Sequence, residues 1–187
     1  MKKIFLIFVL FFGSINILNA ETNRIVAGNK DAKITIIAYE SLTCSHCADF
    51  HREVYPQLKK DYIDTGLAKI EFRHFPLDIA AFNASKIAQC KSDDGLEILN
   101  SLYSNQQEWV RGDTVEKIND NLKKFIKNQG FEVNFEKCIN NKKIEDYVLN
   151  DRIEGTKKFK VNATPTIIIN DVKFDKTLNY KNLKKSL

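Results

Sequence analysis

The apolar periodicity of the chain reads as strand, helix and strand at one end, a long helical middle, then helix, hairpin and helix at the other. Ile34-Thr35-Ile36-Ile37-Ala38-Tyr39 is a continuous, β-branched apolar run, the pattern of a strand covered on both faces. The sheet it belongs to is therefore internal and flanked by helices. Over residues 45–63 the apolar positions Phe50, Val54, Leu58 and Tyr62 recur every four residues, marking one helical face, and Pro56 predicts a kink in that helix. Residues 67–75 alternate, with Ala68, Ile70 and Phe72 set among Leu67, Lys69, Glu71 and Arg73, and read as a second strand ending at Pro76.

Beyond Pro76 the period changes. Residues 79–90, 96–107, 115–128 and 135–139 are helix-periodic pieces separated by Asp93-Asp94-Gly95, Arg111-Gly112-Asp113 and Gly130, with no strand among them. Asp113 with Glu116 predicts a capping box at the third piece. Residues 144–159 form a further helix. Residues 166–170 then read as a strand, Asn170-Asp171 as a tight turn and 172–174 as its return strand, with a last helix over 180–187. The sheet elements at the two ends must meet in space around the helical block.

The N-terminal segment changes the compartment. Lys2 and Lys3, an apolar stretch over residues 4–12, then Gly13, Ser14 and a Leu18-Asn19-Ala20 end predict an export signal over residues 1–20, too short and too broken to span a bilayer. The mature chain, residues 21–187, is then expected outside the cytoplasm, in the periplasm, as one domain with a full core or one domain carrying an insertion. The formal charge of +5 falls to +3 without Lys2 and Lys3. Lysines are interspersed with acids, as over residues 117–127, which is a solvated face and argues against a nucleic-acid partner.

All four cysteines lie in the mature part, an even number in an oxidising compartment. Cys44-Ser45-His46-Cys47 falls where the buried strand gives way to the first helix. There the unpaired backbone N–H groups and the positive dipole end favour thiolate at Cys44, and a protonated His46 would push the same way. Two thiols one helical turn apart can shuttle between dithiol and disulfide without backbone rearrangement. That spacing leaves Cys90 and Cys138 either to pair, for up to roughly 4 kcal/mol of stabilisation, or to remain two buried free thiols. A rival reading takes Cys44, Cys47 and His51, at i, i+3 and i+7, as soft ligands for zinc or copper. No second Cys or His pair follows at ligand spacing. Attached c-type haem is excluded, because Ala48 stands where that motif needs His.

Cys44 to Cys47 opening a helix after a buried strand, together with Val161-Asn162-Ala163-Thr164-Pro165-Thr166 before the late hairpin, resembles the thioredoxin fold. With Phe72-Arg73-His74-Phe75-Pro76-Leu77-Asp78 leading into the helical block, the chain is similar over residues 25–187 to the exported DsbA-type oxidoreductases. The resemblance implies an α/β fold: a thioredoxin part over 25–76 and 143–187, and an all-helical insertion over 77–142 between its halves. It implies that Pro165 is cis and lies against the sulfurs, and that the backbone of Thr164 pairs with an extended substrate. Cys44 would be the nucleophile, Cys47 the resolving thiol, and His46 the residue that tunes the potential. The Cys44–Cys47 disulfide would serve in place of any cofactor or metal, with Cys90–Cys138 a structural disulfide. Implied partners are unfolded exported proteins, with a membrane enzyme of the DsbB type as reoxidant. A monomeric oxidase is expected, since only a few residues separate Ala20 from the first strand, whereas isomerase relatives usually add a dimerisation domain. Thr164 also occurs in isomerases and reductases, which stay as the alternative; a thioredoxin-fold domain with a merely structural disulfide is a third.

Two positions depart from the pattern. Ser45 replaces a proline common in oxidising members, and Ala38 replaces the acid that many relatives bury six residues before the first cysteine. Glu40, two residues further along the same strand face, is expected to be a solvated strand-end carboxylate. On that reading the proton of the resolving thiol has no assigned acceptor.

Overall fold

A computed structural model of the chain describes residues 24–91 and 95–187. The expected export signal and the Asp93-Asp94 break lie outside the described residues. Within them no helix is long and apolar enough to cross a membrane.

The sheet has five strands in the order β1-β3-β2-β4-β5. Its centre is β2 (Ile34–Glu40), parallel to β3 (Ala68–His74) and antiparallel to β4 (Thr166–Ile169), so that Ile36 faces Ile70 on one side and Ile169 on the other. The two ends of the chain thus meet at β2. An edge strand that the periodicity did not reveal, β1 (Ile25–Gly28), runs antiparallel on β3. Its four residues are too few to show an alternation. At the other edge β5 (Val172–Lys173) closes the hairpin through Asn170 and Asp171, whose φ of 46° and 66° are left-handed values that Asn and Asp tolerate.

The unbroken apolar run of β2 reflects cover on both faces. Ile36 and Ala38 join Ile70, Phe72, Ile167 and Ile169 in the main core, while Ile37, Tyr39 and Ile168 pack with Phe75, Phe159 and Val161 on the opposite face. Full burial of a side chain such as Ile36 contributes roughly 1.5–3 kcal/mol. The second face is covered by α8 (Lys142–Phe159), which approaches closely only because position 155 is glycine. A Cβ there would fall 2.7 Å from a Tyr39 ring carbon. Under α8 the buried Arg73 pairs with Glu71 at 2.7 Å and Glu154 at 3.1 Å, and Asp151 accepts the His74 backbone N–H. Buried charge is tolerated because it is paired.

The first helical stretch is not a simple kinked helix. It runs as α1 (Ser45–Asp49), a π-turn (Phe50–Val54), α2 (Tyr55–Leu58) and a second π-turn (Lys59–Ile63). Pro56 has no N–H to offer the preceding turn, and the ladder widens around it rather than breaking. The helical block comprises α3 (Ile79–Gln89), α4 (Gly95–Ser104), α5 (Gln106–Trp109), α6 (Val115–Asn128) and α7 (Phe135–Ile139). Asp78 caps α3 by accepting the Ala81 N–H at 2.7 Å. The cap of α6 is Thr114, which accepts from Lys117, and not the Asp113–Glu116 box. It is Thr114 that has the extended backbone a cap needs (φ −131°, ψ 155°), and this places Lys117 at the third helical position. Cys90, at the end of α3, and Cys138, in α7, form a disulfide with Cα atoms 5.6 Å apart.

Candidate active site

Strand β2 delivers the chain to Cys44, which caps α1 from an extended conformation (φ −78°, ψ 119°). Its carbonyl accepts the first helical bonds, from the Cys47 and Ala48 N–H groups at 3.1 and 3.2 Å. Both thiols are free; Cys44 is half-buried and Cys47 fully buried. This geometry separates the two sulfurs chemically. A hydrogen bond from the Cys47 thiol is the main reason the Cys44 thiol is held down to about 5 from an ordinary 9.0. Burial opposes this, while Thr164 and the N–H groups of Cys47 and His46 add to it. Burial pushes Cys47 strongly the other way, followed by its bond to Cys44 and the nearby Glu40.

Thr164 meets Cys44 from the loop before β4. The Thr164–Pro165 peptide is cis, and the Cys44 thiol donates to the Thr164 carbonyl at 3.4 Å. Ionisation removes that bond. The Thr164 hydroxyl, buried and without another partner, is then the donor that can turn to the sulfur. Beside the pair lies a groove of about 380 Å³, lined by His46, Asp49, Phe50, Glu53, Val54, Thr164, Pro165 and Leu178. The His46 imidazole is 81 % exposed and leans toward Asp49, with Nδ1 3.8 Å from a carboxylate oxygen. What His46 gives Cys44 in this geometry is its backbone N–H.

Glu40 corrects the expectation of a solvated carboxylate. It is 3 % exposed, and Oε2 lies 2.9 Å from His51 Nε2. The acid is buried because it has a buried partner. His51 follows Cys47 by one helical turn and is caged by rings: Tyr103 of α4 stacks on it at 4.1 Å, with Phe72 at 5.2 Å and Tyr55 at 5.4 Å. Burial raises the Glu40 carboxyl above its usual range while His51 pulls it back. Glu40 is close enough to act electrostatically on both sulfurs. His51 is thus committed to Glu40, and among the described residues no group of three or more metal-ligating side chains converges.

Two residues of the helical block that the sequence did not single out also reach the centre. Tyr103 stacks beneath it, and the buried Gln106 of α5 donates to the carbonyls of Leu42 and Cys44. Neither stands in a recognisable motif. Their apolar flanks mark the helix face but not its target. Cys90 and Cys138 do not line the groove beside Cys44.

The whole of this arrangement lies within residues 20–187, which match the family model described as Thioredoxin. The chain is 29 % identical over 167 residues to a putative protein-disulfide oxidoreductase of Rickettsia bellii, covering 86 % of this chain and 61 % of the relative. It is 26 % identical over 172 residues to disulfide bond formation protein D of Bacillus subtilis, covering 87 % and 74 %. The chain therefore spans about three fifths of the rickettsial relative's length. Among solved structures, alpha-DsbA1 of Wolbachia pipientis superposes with a TM-score of 0.78 and 31 % identity, over 90 % of this chain and 91 % of that one. The chain belongs to the thioredoxin family and, within it, to the DsbA-type proteins.

Proposed function

We propose that this chain is a periplasmic thiol-disulfide oxidoreductase that donates the Cys44–Cys47 disulfide to newly exported proteins. The observation that carries the reading is the asymmetry of the pair: a half-buried sulfur held as thiolate at a helix start, between His46 and Thr164 of a groove's lining, beside a buried sulfur held as thiol.

A substrate thiolate attacks Cys44 Sγ in the oxidised protein. The Cys44–Cys47 bond breaks, its electron pair leaves with Cys47 Sγ, and Glu40, whose carboxyl is raised by burial, supplies the proton that makes Cys47 a thiol. A second substrate thiolate then attacks the substrate sulfur of the mixed disulfide. Cys44 leaves as the thiolate its surroundings favour, so that two electrons pass from substrate to enzyme. Thr164 and Pro165 present the backbone edge against which an extended segment lies, and His46 lines the same groove. Residues 1–20 serve as export signal, 25–76 and 143–187 as the thioredoxin part and 77–142 as the insertion. Cys90–Cys138 is structural, and a DsbB-type membrane enzyme restores the disulfide.

The test compares refolding of a reduced and of a scrambled multi-disulfide substrate. Acceleration of the reduced one alone supports an oxidase. Acceleration of the scrambled one alone moves the assignment to isomerase.

A further inference from the structure

We infer that Gln106, from the helical block, is a positioning residue of the redox centre that frees the Cys47 N–H to serve the Cys44 sulfur. The amide Nε2 of Gln106 donates to Leu42 O at 2.9 Å and to Cys44 O at 3.0 Å. Both of its protons are thereby spent on the two carbonyls that bracket Thr43, at the turn from β2 into α1. The side chain is 6 % exposed, and α5 is anchored behind it by Trp109, whose indole donates to Leu102 O at 2.9 Å. The clamp is rigid at its origin.

The Cys47 N–H bonds the Cys44 carbonyl at 3.1 Å and makes no cap bond to the sulfur, yet it lies near enough to help hold the Cys44 thiol down. Carbonyl and thiolate compete for one donor. The carbonyl already holds the Ala48 N–H at 3.2 Å and the Gln106 amide at 3.0 Å, so losing part of the Cys47 bond leaves it paired. The donor can then turn to the sulfur as charge develops there. Without Gln106 the carbonyl would hold the Cys47 N–H more tightly, and the turn at Leu42 would lose its tie to α5. Titratable groups facing Cys44 from the packed elements are Glu40 of β2, Cys47 of α1 and Tyr103 of α4, none of which Gln106 contacts through the bonds described.

This inference rests on Cys44 being the low-pKa thiol, and the two can fail separately. A thiolate absorbance titration at 240 nm, reduced minus oxidised, is run on the full chain, on Gln106→Met and on the exposed neighbour Gln107→Met. The unaltered protein must titrate well below an ordinary thiol; if it does not, the reading of Cys44 itself fails. Given that, Gln106→Met should move the midpoint up by roughly one pH unit, the worth of a hydrogen bond serving a charge. The disulfide should become about tenfold less oxidising against glutathione. Gln107→Met should match the unaltered protein. A Gln106→Met protein that melts lower but titrates unchanged overturns the inference, because Gln106 is then only packing. Should the variant not fold, the unaltered protein decides by NMR. The Gln106 side-chain amide signals should move with the Cys44 midpoint, and flat signals across that range overturn the inference equally.

Discussion

The chain carries two cysteine pairs, set at opposite ends of helices. Cys44 stands at the start of α1, where the N–H groups of His46 and Cys47 help hold its thiol down. Cys90 stands at the end of α3, the terminus that disfavours a thiolate, and its partner Cys138 is buried in α7. Cys44 and Cys47 are free thiols of opposed acidity, whereas Cys90 and Cys138 are joined. One amino-acid type thus stands in two states, and what sets Cys44 apart is what its sulfur meets: the Cys47 thiol first, then Thr164 and the N–H groups at the helix start. A thiolate made stable is a good leaving group, so a disulfide built on it is readily given away. A disulfide whose thiolates find no such support is retained.

The sharpest way to break the comparison is to remove one sulfur of the labile pair. Cys44→Ser should abolish exchange, because among the described residues no other free thiol is both partly exposed and held down toward thiolate. Cys47→Ser should keep the attack and lose resolution, so that mixed disulfides with substrate accumulate on non-reducing gels. Residual exchange in Cys44→Ser above a few per cent would assign the nucleophile elsewhere.

Next in size is the proton. Glu40→Gln keeps the shape and a hydrogen bond to His51 but cannot trade a proton with Cys47. Exchange should slow on the order of 100-fold, the usual worth of a positioned acid or base. The loss should be largest on the acidic side of the rate profile, where the Glu40 carboxyl, raised by burial, is the proton source. A uniform loss at every pH would mean that Glu40 only holds His51 in place.

A smaller and graded effect concerns stability. The folded pKa of Cys44 is lowered, to about 5 from 9.0, so the stabilisation it contributes to the reduced protein is complete above the unfolded value and lost as pH falls through 5. The oxidised protein has no thiol to titrate at that site. Glu40, raised by burial, contributes with the opposite sign in both redox states and largely cancels from the difference. The melting temperature of the reduced protein should therefore gain steadily on that of the oxidised protein between pH 5 and 9. A gap independent of pH would remove the thiolate from the explanation of why the disulfide is labile.

The comparison also marks what a sequence can convey. The position of Cys44 was legible because a strand-to-helix junction is a local event, written in the apolar run over 34–39 and the four-residue spacing from Phe50. The helical block and the hairpin at Asn170-Asp171 were legible for the same reason. Glu40 was not, because whether a strand-end acid is buried depends on a partner eleven residues away that rotates inward only on the formed helix. Sequence could place His51 on the face of Cys47 but not choose between metal and carboxylate. Gln106 was further from view, since its partners are backbone carbonyls 64 and 62 residues earlier and carry no side-chain signature. β1 is held by pairing with β3 rather than by its own pattern.

The smallest effect on exchange, and the one that tests the other half of the comparison, comes from replacing both Cys90 and Cys138 by serine. These residues lie 48 apart in sequence, and a loop of that size, closed by a disulfide, is worth roughly 4 kcal/mol in the chain-entropy model. At about 2–4 °C per kcal/mol for a chain of this size, the melting temperature should drop on the order of 10 °C. Exchange measured well below that temperature should keep its rate, since neither serine alters a donor to Cys44 or a wall of the groove. Lost stability with retained exchange would show that the second pair serves only to hold α7 against α3. If exchange falls in step with the pair's removal while the Cys44 titration stays put, the helical block transmits more than position, and the division of labour between the two pairs has to be redrawn.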